Sequence, residues 1–159
     1  MILFDQFARN IYRDNAKAFY FDHYALQLSK HLLVFSNFNK MHISYQFFTY
    51  VTMMHSEDSQ NVADATLGFL KLAMNYPTVP VNKWSSGLKK MATTSQEHLD
   101  VLKKFGRYPH RNDALKREST VDEIDFLSSK SLASWMKKSV IKNDQVLEKS
   151  GTTQHKTNN

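Results

Sequence analysis

Four short stretches of this chain collect the residue types that acid–base chemistry and anion recognition require. In "FDQFARNIYR", Phe4, Phe7 and Ile11 fall on one side at helical spacing, while Gln6, Arg9, Asn10 and Arg13 fall on the other, with Asp5 beside them. An ordinary solvated helix face carries Lys and Glu, so a stripe of arginines, amides and an Asp marks a place to look for a site. "HSED" at 55 to 58 supplies an imidazole, His55, beside Glu57 and Asp58, the groups needed for general acid–base work or for a hard cation. His98 stands alone on an apolar helix face, where a hydrogen-bonded core histidine is the simpler reading. "RYPHRN" at 107 to 112 carries Arg107, His110, Arg111 and Asn112, with Arg117 and Glu118 beyond it. Pro109 holds Tyr108 extended and so directs a loop whose guanidinium forks could grip a carboxylate or phosphate.

Each cluster also has a structural reading. Ser56 or Asp58 can cap the helix that follows, and Asp5, Glu57, Asp58 and Glu118 suffice to neutralise Arg9, Arg107, Arg111 and Arg117. Removing one member of such a buried ionic network would cost about 3 to 5 kcal/mol, because the remaining charge is left unpaired. A metal site is not expected, since no helical His pair at i, i+4 with an intervening Glu is present. The isolated glycines form no phosphate-cradling loop, and no serine nucleophile elbow occurs. No cofactor is implied.

The elements that must position these groups read as helices. Four Gly and three Pro in 159 residues leave little material for the turns of an all-β chain, and 42% hydrophobic residues can build one domain with a core. The expected fold is all-α, with about six helices in antiparallel hairpins. A first helix, residues 2 to 12, begins without an N-cap. Asp14 or Asn15 caps a second, whose apolar stripe is Ala18, Phe21, Ala25, Leu28, Leu32 and Phe35. After a polar break at 37 to 42, a third helix runs from Ile43 to Met54. A fourth carries Val62, Thr66, Phe69 and Ala73 and is closed by Tyr76 and Pro77. The fifth, about 82 to 105, places Leu88, Met91, Ser95, His98, Leu102 and Phe105 on one face, with Gly106 as a left-handed cap. Thr120 and Glu123 have capping-box spacing and start a sixth. The helical domain is expected over 1 to 128, an extra amphipathic helix with Leu132, Trp135, Met136 and Val140 over 129 to 148, and a disordered tail over 149 to 159.

Zero Cys rules out disulfides, thiol catalysis and thiolate metal sites, and makes a cytoplasmic setting the default. The net charge of +6 and pI near 9.4 come from cations scattered among acids, so specific nucleic-acid binding is not expected. Neither a spanning run of about 18 apolar residues nor a signal peptide is present. The basic segment 130 to 142 is expected to pack on the domain rather than touch a membrane.

"LFDQFARNIYR" with "AKAFYFD", then "MHSED", then "HLDVLKKFGRYPHRNDALKRESTVDEIDFL" resemble, in that order, the signature blocks of the family called domain of unknown function 924. The resemblance covers about residues 2 to 127 and implies a small all-helical fold similar to tetratricopeptide-repeat proteins, with no settled activity. Residue by residue it marks Asp5, Gln6, Arg9, Asn10 and Arg13, then His55, Ser56, Glu57 and Asp58. In the last block it marks His98, Phe105, Gly106, Arg107, Pro109, His110, Arg111, Asn112, Arg117, Ser119 and Thr120. Ala8 stands where the family usually has Pro, a departure that bears on a kink or helix start at that position. Relatives also carry further helices ahead of the first block. The resemblance therefore implies a truncated member, an incomplete gene model or a chain that covers the gap with a partner. Ile2, Leu3 and Phe4 are then uncovered, and self-association through the first helix is expected.

Three functions follow from these residues. The first is a helical module binding a small anionic ligand or carboxylate-bearing partner in a polar groove. The second is a small-molecule enzyme using His55 or His110 with Glu57 or Asp58, and Arg9, Arg107 or Arg111 to hold an anionic substrate. The third is a purely structural polar network.

Overall fold

In a computed structural model, residues 1–13, 15–76, 83–129, 132, 133, 135 and 136 are described, with backbone alone for 83–85. The described residues are helical and contain no strand. The chain divides into two compact units, Met1–Tyr108 and Pro109–Asn159. No helix among the described residues is long and apolar enough to cross a membrane.

The first unit opens with a π-helical turn, Leu3–Phe7, that gives way at Ala8 to a short α-helix, α1 (Ala8–Ile11). The expected second helix is interrupted. The Asn15 side chain does cap, accepting from Lys17 N–H, but it starts only a 3₁₀ turn, Ala16–Phe19; the α-helix proper, α2, is Asp22–Val34. Its buried positions are Ala25 and Ser29, whereas Leu28 and Phe35 of the expected apolar stripe lie exposed. Leu26 and Leu33, off that stripe, are the large α2 side chains packed half-buried against the apolar core.

Helix α3 (Ile43–Met54) spans the expected residues, and α4 (Ser59–Asn75) and α5 (Lys83–Phe105) follow. Local chemistry sets their ends. Asp58 Oδ1 accepts from the N–H groups of Gln60 (2.8 Å) and Asn61 (3.4 Å), satisfying donors that the first turn of α4 leaves without helical partners. Gly106, after α5, has φ +69°, a left-handed conformation that a Cβ would strain.

The core of this unit is where α3 packs on α4 and α4 on α5. Val51, Met53, Met54, Ala65, Phe69, Leu72, Leu88 and Ala92 form one apolar cluster. Phe69 is fully buried between the rings of Phe47 and Tyr50, and such burial stabilises by about 2 to 3 kcal/mol. Gly68 makes that packing fit, because a Cβ there would collide with the Tyr50 ring. Polar contacts also cross the α4–α5 seam: Ser95 Oγ lies 2.8 Å from Thr66 Oγ1 and 3.4 Å from the Val62 carbonyl.

In the second unit, a 3₁₀ turn at Pro109–Arg111 leads into α6 (Asn112–Leu115), followed by α7 (Val121–Ser128). Both halves of the Thr120–Glu123 capping box form. Of the expected extra helix over 129 to 148, only Ser129, Leu132, Ala133, Trp135 and Met136 are among the described residues, and the expected tail lies outside them.

Candidate functional site

Asp5 is the centre of the polar cluster in the first unit. The π-helical turn directs its side chain inward, where it is 1% exposed. Its Oδ1 accepts from His55 Nδ1 at 2.7 Å, and Arg9 Nε lies 3.1 Å from the same oxygen. Gln6 Nε2 donates to Oδ2. Burial alone would raise the carboxyl pKa; the charge and hydrogen bond of His55, then Arg9 and Gln6, outweigh it and hold Asp5 at about 2. Arg9 Nε also comes within 3.3 Å of His55 Nδ1. Both groups are donors when Nδ1–H points at the carboxylate, so we assign that approach to their shared acceptor, Asp5.

Arg9 ties this centre to the start of α2. Its Nη2 pairs with Asp22 Oδ2 at 2.8 Å, its Nη1 donates to the Ala18 carbonyl at 3.3 Å, and its guanidinium lies 5.2 Å from the Phe19 ring centroid. The expected ligand grip is therefore compensated by two carboxylates of its own chain. Asp22 and Phe19 were not legible as site residues, since a first-turn Asp in a helix carries no mark of its distant partner.

His55 sits at the C-cap of α3 with its side chain 18% exposed, so the ring is internally anchored by Asp5 and reaches solvent in part. His98 is 6.4 Å away between ring centroids. It is a core histidine, 4% exposed, whose Nδ1 lies 2.7 Å from the Thr94 carbonyl one turn back. The fully buried Tyr108 meets His98 edge-on, donates its O–H to the Met54 carbonyl at 2.8 Å, and donates its N–H to Glu57 Oε1 at 3.0 Å. Glu57 thus helps anchor the turn that carries Gly106 and Arg107. The carboxylate beside His55 is Asp5, while the two acids nearest in sequence do structural work: Glu57 on Tyr108 and Asp58 on the α4 cap. Ser56 Oγ accepts from Asp58 N–H and Asn61 Nδ2 in the same turn.

The stripe of the first helix divides. Arg9 turns inward with Asp5, whereas Asn10 and Arg13 stay exposed: Asn10 Nδ2 donates to the Gln6 carbonyl and Arg13 Nη2 approaches Asn10 Oδ1 at 3.4 Å. The outward face also bears Leu3, Phe7 and Ile11.

The second unit holds a cluster of its own. Asn112, 1% exposed, donates from Nδ2 to Ser119 Oγ (3.0 Å) and Glu123 Oε2 (3.2 Å), and its Oδ1 accepts from Arg117 Nε (3.0 Å). Arg111 is buried, and the His110 ring meets Trp135 edge-on at 5.1 Å. Glu123, 2% exposed, was read from the sequence only as a cap residue; it is also the carboxylate of this network. Asn112 therefore links α6 to the capping box of α7, and Arg117 holds Asn112. Among the described residues, no group of three or more His, Asp or Glu is placed to hold a metal ion.

These features define an all-helical protein with an Asp–His–Arg cluster in one unit and an Asn–Glu–Arg cluster in the other. The chain belongs to the family described as bacterial protein of unknown function, domain of unknown function 924, whose pattern matches residues 1–131. It is similar to a solved protein of unknown function from Agrobacterium tumefaciens: 27% identity, a TM-score of 0.60 and coverage of 80% of this chain. This chain spans 64% of that protein's length. No curated protein matches the sequence.

Proposed function

We propose that this chain is a helical binding module, similar to tetratricopeptide-repeat arrays, that takes a small anionic molecule or carboxylate-bearing peptide in the cytoplasm. The His55 imidazole is the contact group. One observation carries the reading: a 1%-exposed carboxylate, Asp5, holds Nδ1 of a partly exposed imidazole at 2.7 Å. A ring anchored by a buried carboxylate keeps a single orientation, which lowers the entropy lost on binding. Arg9 serves this site indirectly, by fixing Asp5, because its own charge is balanced by Asp5 and Asp22. The charge balance of the cluster, two carboxylates against Arg9 and His55, makes anion affinity greatest where the imidazole is protonated.

Melting curves with phosphate, citrate and succinate test this reading. At least one of these anions is expected to raise the wild-type Tm by a few degrees at pH 6. His55→Gln should lose the shift, while Arg13→Ala, at an exposed position, should keep it. Equal shifts in wild type and His55→Gln, or none with any of the three, would remove His55 as the contact.

The same dyad favours a second reading, in which His55 exchanges a proton with a bound substrate and Asp5 sets its tautomer. A panel of ester and phosphoester substrates discriminates it: a turnover that survives unchanged in His55→Gln leaves no catalytic role for this ring.

A further inference from the structure

The Arg9 guanidinium divides one of its edges between two carboxylates. Its Nε lies 3.1 Å from Asp5 Oδ1, and its Nη2 lies 2.8 Å from Asp22 Oδ2. The hydrogens on Nε and Nη2 point the same way in the guanidinium plane, at a spacing that matches the two oxygens of a single carboxylate. This edge therefore tends to close on one acid as a two-bond fork. Asp5, one turn back on the same helix and buried, is placed to receive it. The fork nevertheless stays open. Nε takes Asp5, Nη2 takes Asp22 at the start of α2, and Nη1 takes the Ala18 carbonyl at 3.3 Å.

The consequence falls on Asp5, whose two oxygens keep separate duties. Oδ1 accepts from His55 Nδ1 at 2.7 Å, with Arg9 Nε alongside, and Oδ2 accepts from Gln6 Nε2. A closed fork would draw both oxygens into the guanidinium plane, set Nη2 on Oδ2 in place of the Gln6 amide, and turn Oδ1 off the line to the imidazole. Arg9 Nε and His55 Nδ1 are only 3.3 Å apart, so the two donors compete closely for Oδ1. The balance between them is set by how far Arg9 is drawn toward Asp22.

We propose that Asp22 is a positioning residue of the His55 site: by holding Arg9 Nη2 it keeps the guanidinium from closing on Asp5, and so reserves Asp5 Oδ1 for the imidazole. This inference rests on the reading of His55 as the contact group and adds the carboxylate that keeps that group aligned. Asp22 touches no ligand on this account; it acts through Arg9 and Asp5.

Proton NMR of the full chain, without ligand, is the test. An imidazole N–H in a short bond to a buried carboxylate resonates far downfield and exchanges slowly with water, and His55→Gln identifies the signal by removing it. Asp22→Ala is expected to move this resonance upfield or lose it to exchange. Asp22→Asn, which keeps the shape with a weaker acceptor, should move it the same way by less. A lower Tm by itself also follows from losing an acid in the first turn of α2, whereas a displaced imidazole signal does not. Arg9→Lys supplies the control, because an ammonium cannot close as a fork. In that background Asp22→Ala should leave the His55 signal where Arg9→Lys alone puts it. A wild-type spectrum without the signal overturns the proposal, as does a signal unmoved by both Asp22 variants. An equal displacement in the Arg9→Lys background overturns it too, since Asp22 would then act through its charge or the fold instead of the fork. A wild type that shows the signal and its dependence on Asp22, yet no Tm shift with phosphate, citrate or succinate, defeats the binding reading and upholds the positioning of His55.

Discussion

Replacing Asp5 with Asn removes the charge at the centre of the first unit's polar cluster while keeping its shape, and its cost has a predictable pH dependence. The carboxyl is held at about 2 against an ordinary value of 3.8, so the folded state favours the ionised form. A pKa lower in the folded than in the unfolded chain contributes stability above the unfolded value and loses it as pH falls through the folded one. The difference of nearly two units corresponds to about 2 kcal/mol at pH 7, of which about 1 kcal/mol is gone by pH 3 and most by pH 2. Asp5→Asn is therefore expected to lower unfolding free energy by about 2 to 3 kcal/mol at pH 7. The upper part of that range reflects loss of the acceptor for His55 and Arg9, moderated because Arg9 keeps Asp22. Urea unfolding of wild type and variant at pH 7 and pH 3 measures the difference at each pH, which should shrink by about 1 kcal/mol at the lower one. A gap that stays constant between the two, or widens in acid, would mean that Asp5 is not depressed by its neighbours and that the Asp5–His55–Arg9 geometry is misread.

Two further substitutions probe the scaffold. Gly68→Ala places a methyl group against the Tyr50 ring and is expected to cost about 1 to 3 kcal/mol, despite alanine's higher helix propensity; a Tm equal to or above wild type would show that the ring moves aside freely. Thr120→Ala removes the side chain that accepts from Glu123 N–H and is expected to cost about 1 kcal/mol, seen as faster amide exchange in the first turn of α7. Unchanged exchange there would place the end of α7 under control of packing instead of the cap.

Much of the helical layout is legible in the chain because helix ends are local chemistry. Ile43 to Met54 reads as a helix from its apolar period, Thr120 and Glu123 from their spacing, and Gly106 from its place after Phe105. Each signal acts within a turn or two of itself. The same locality misleads at α2, where a continuous stripe hides the break at Tyr20 and Phe21 and the buried seam is built on Ala25 and Ser29.

Residue types alone determined that His55, Arg9 and a carboxylate stand where polar chemistry is concentrated, and that the chain is helical. Tertiary structure decided which carboxylate: Asp5, fifty positions away along the chain, lies 2.7 Å from the imidazole, whereas Glu57 and Asp58 anchor backbone N–H groups. It also decided that Arg9 faces inward and Phe7 and Ile11 outward. Periodicity sorts a helix into stripes, but the inward stripe is chosen by what the neighbouring helices offer. Here they offer an imidazole from the end of α3 and a second carboxylate from the start of α2. His55 and Arg9 compensate the burial of Asp5 and Asp22 holds Arg9, so this half of the polar stripe turns inward while Asn10 and Arg13 stay exposed.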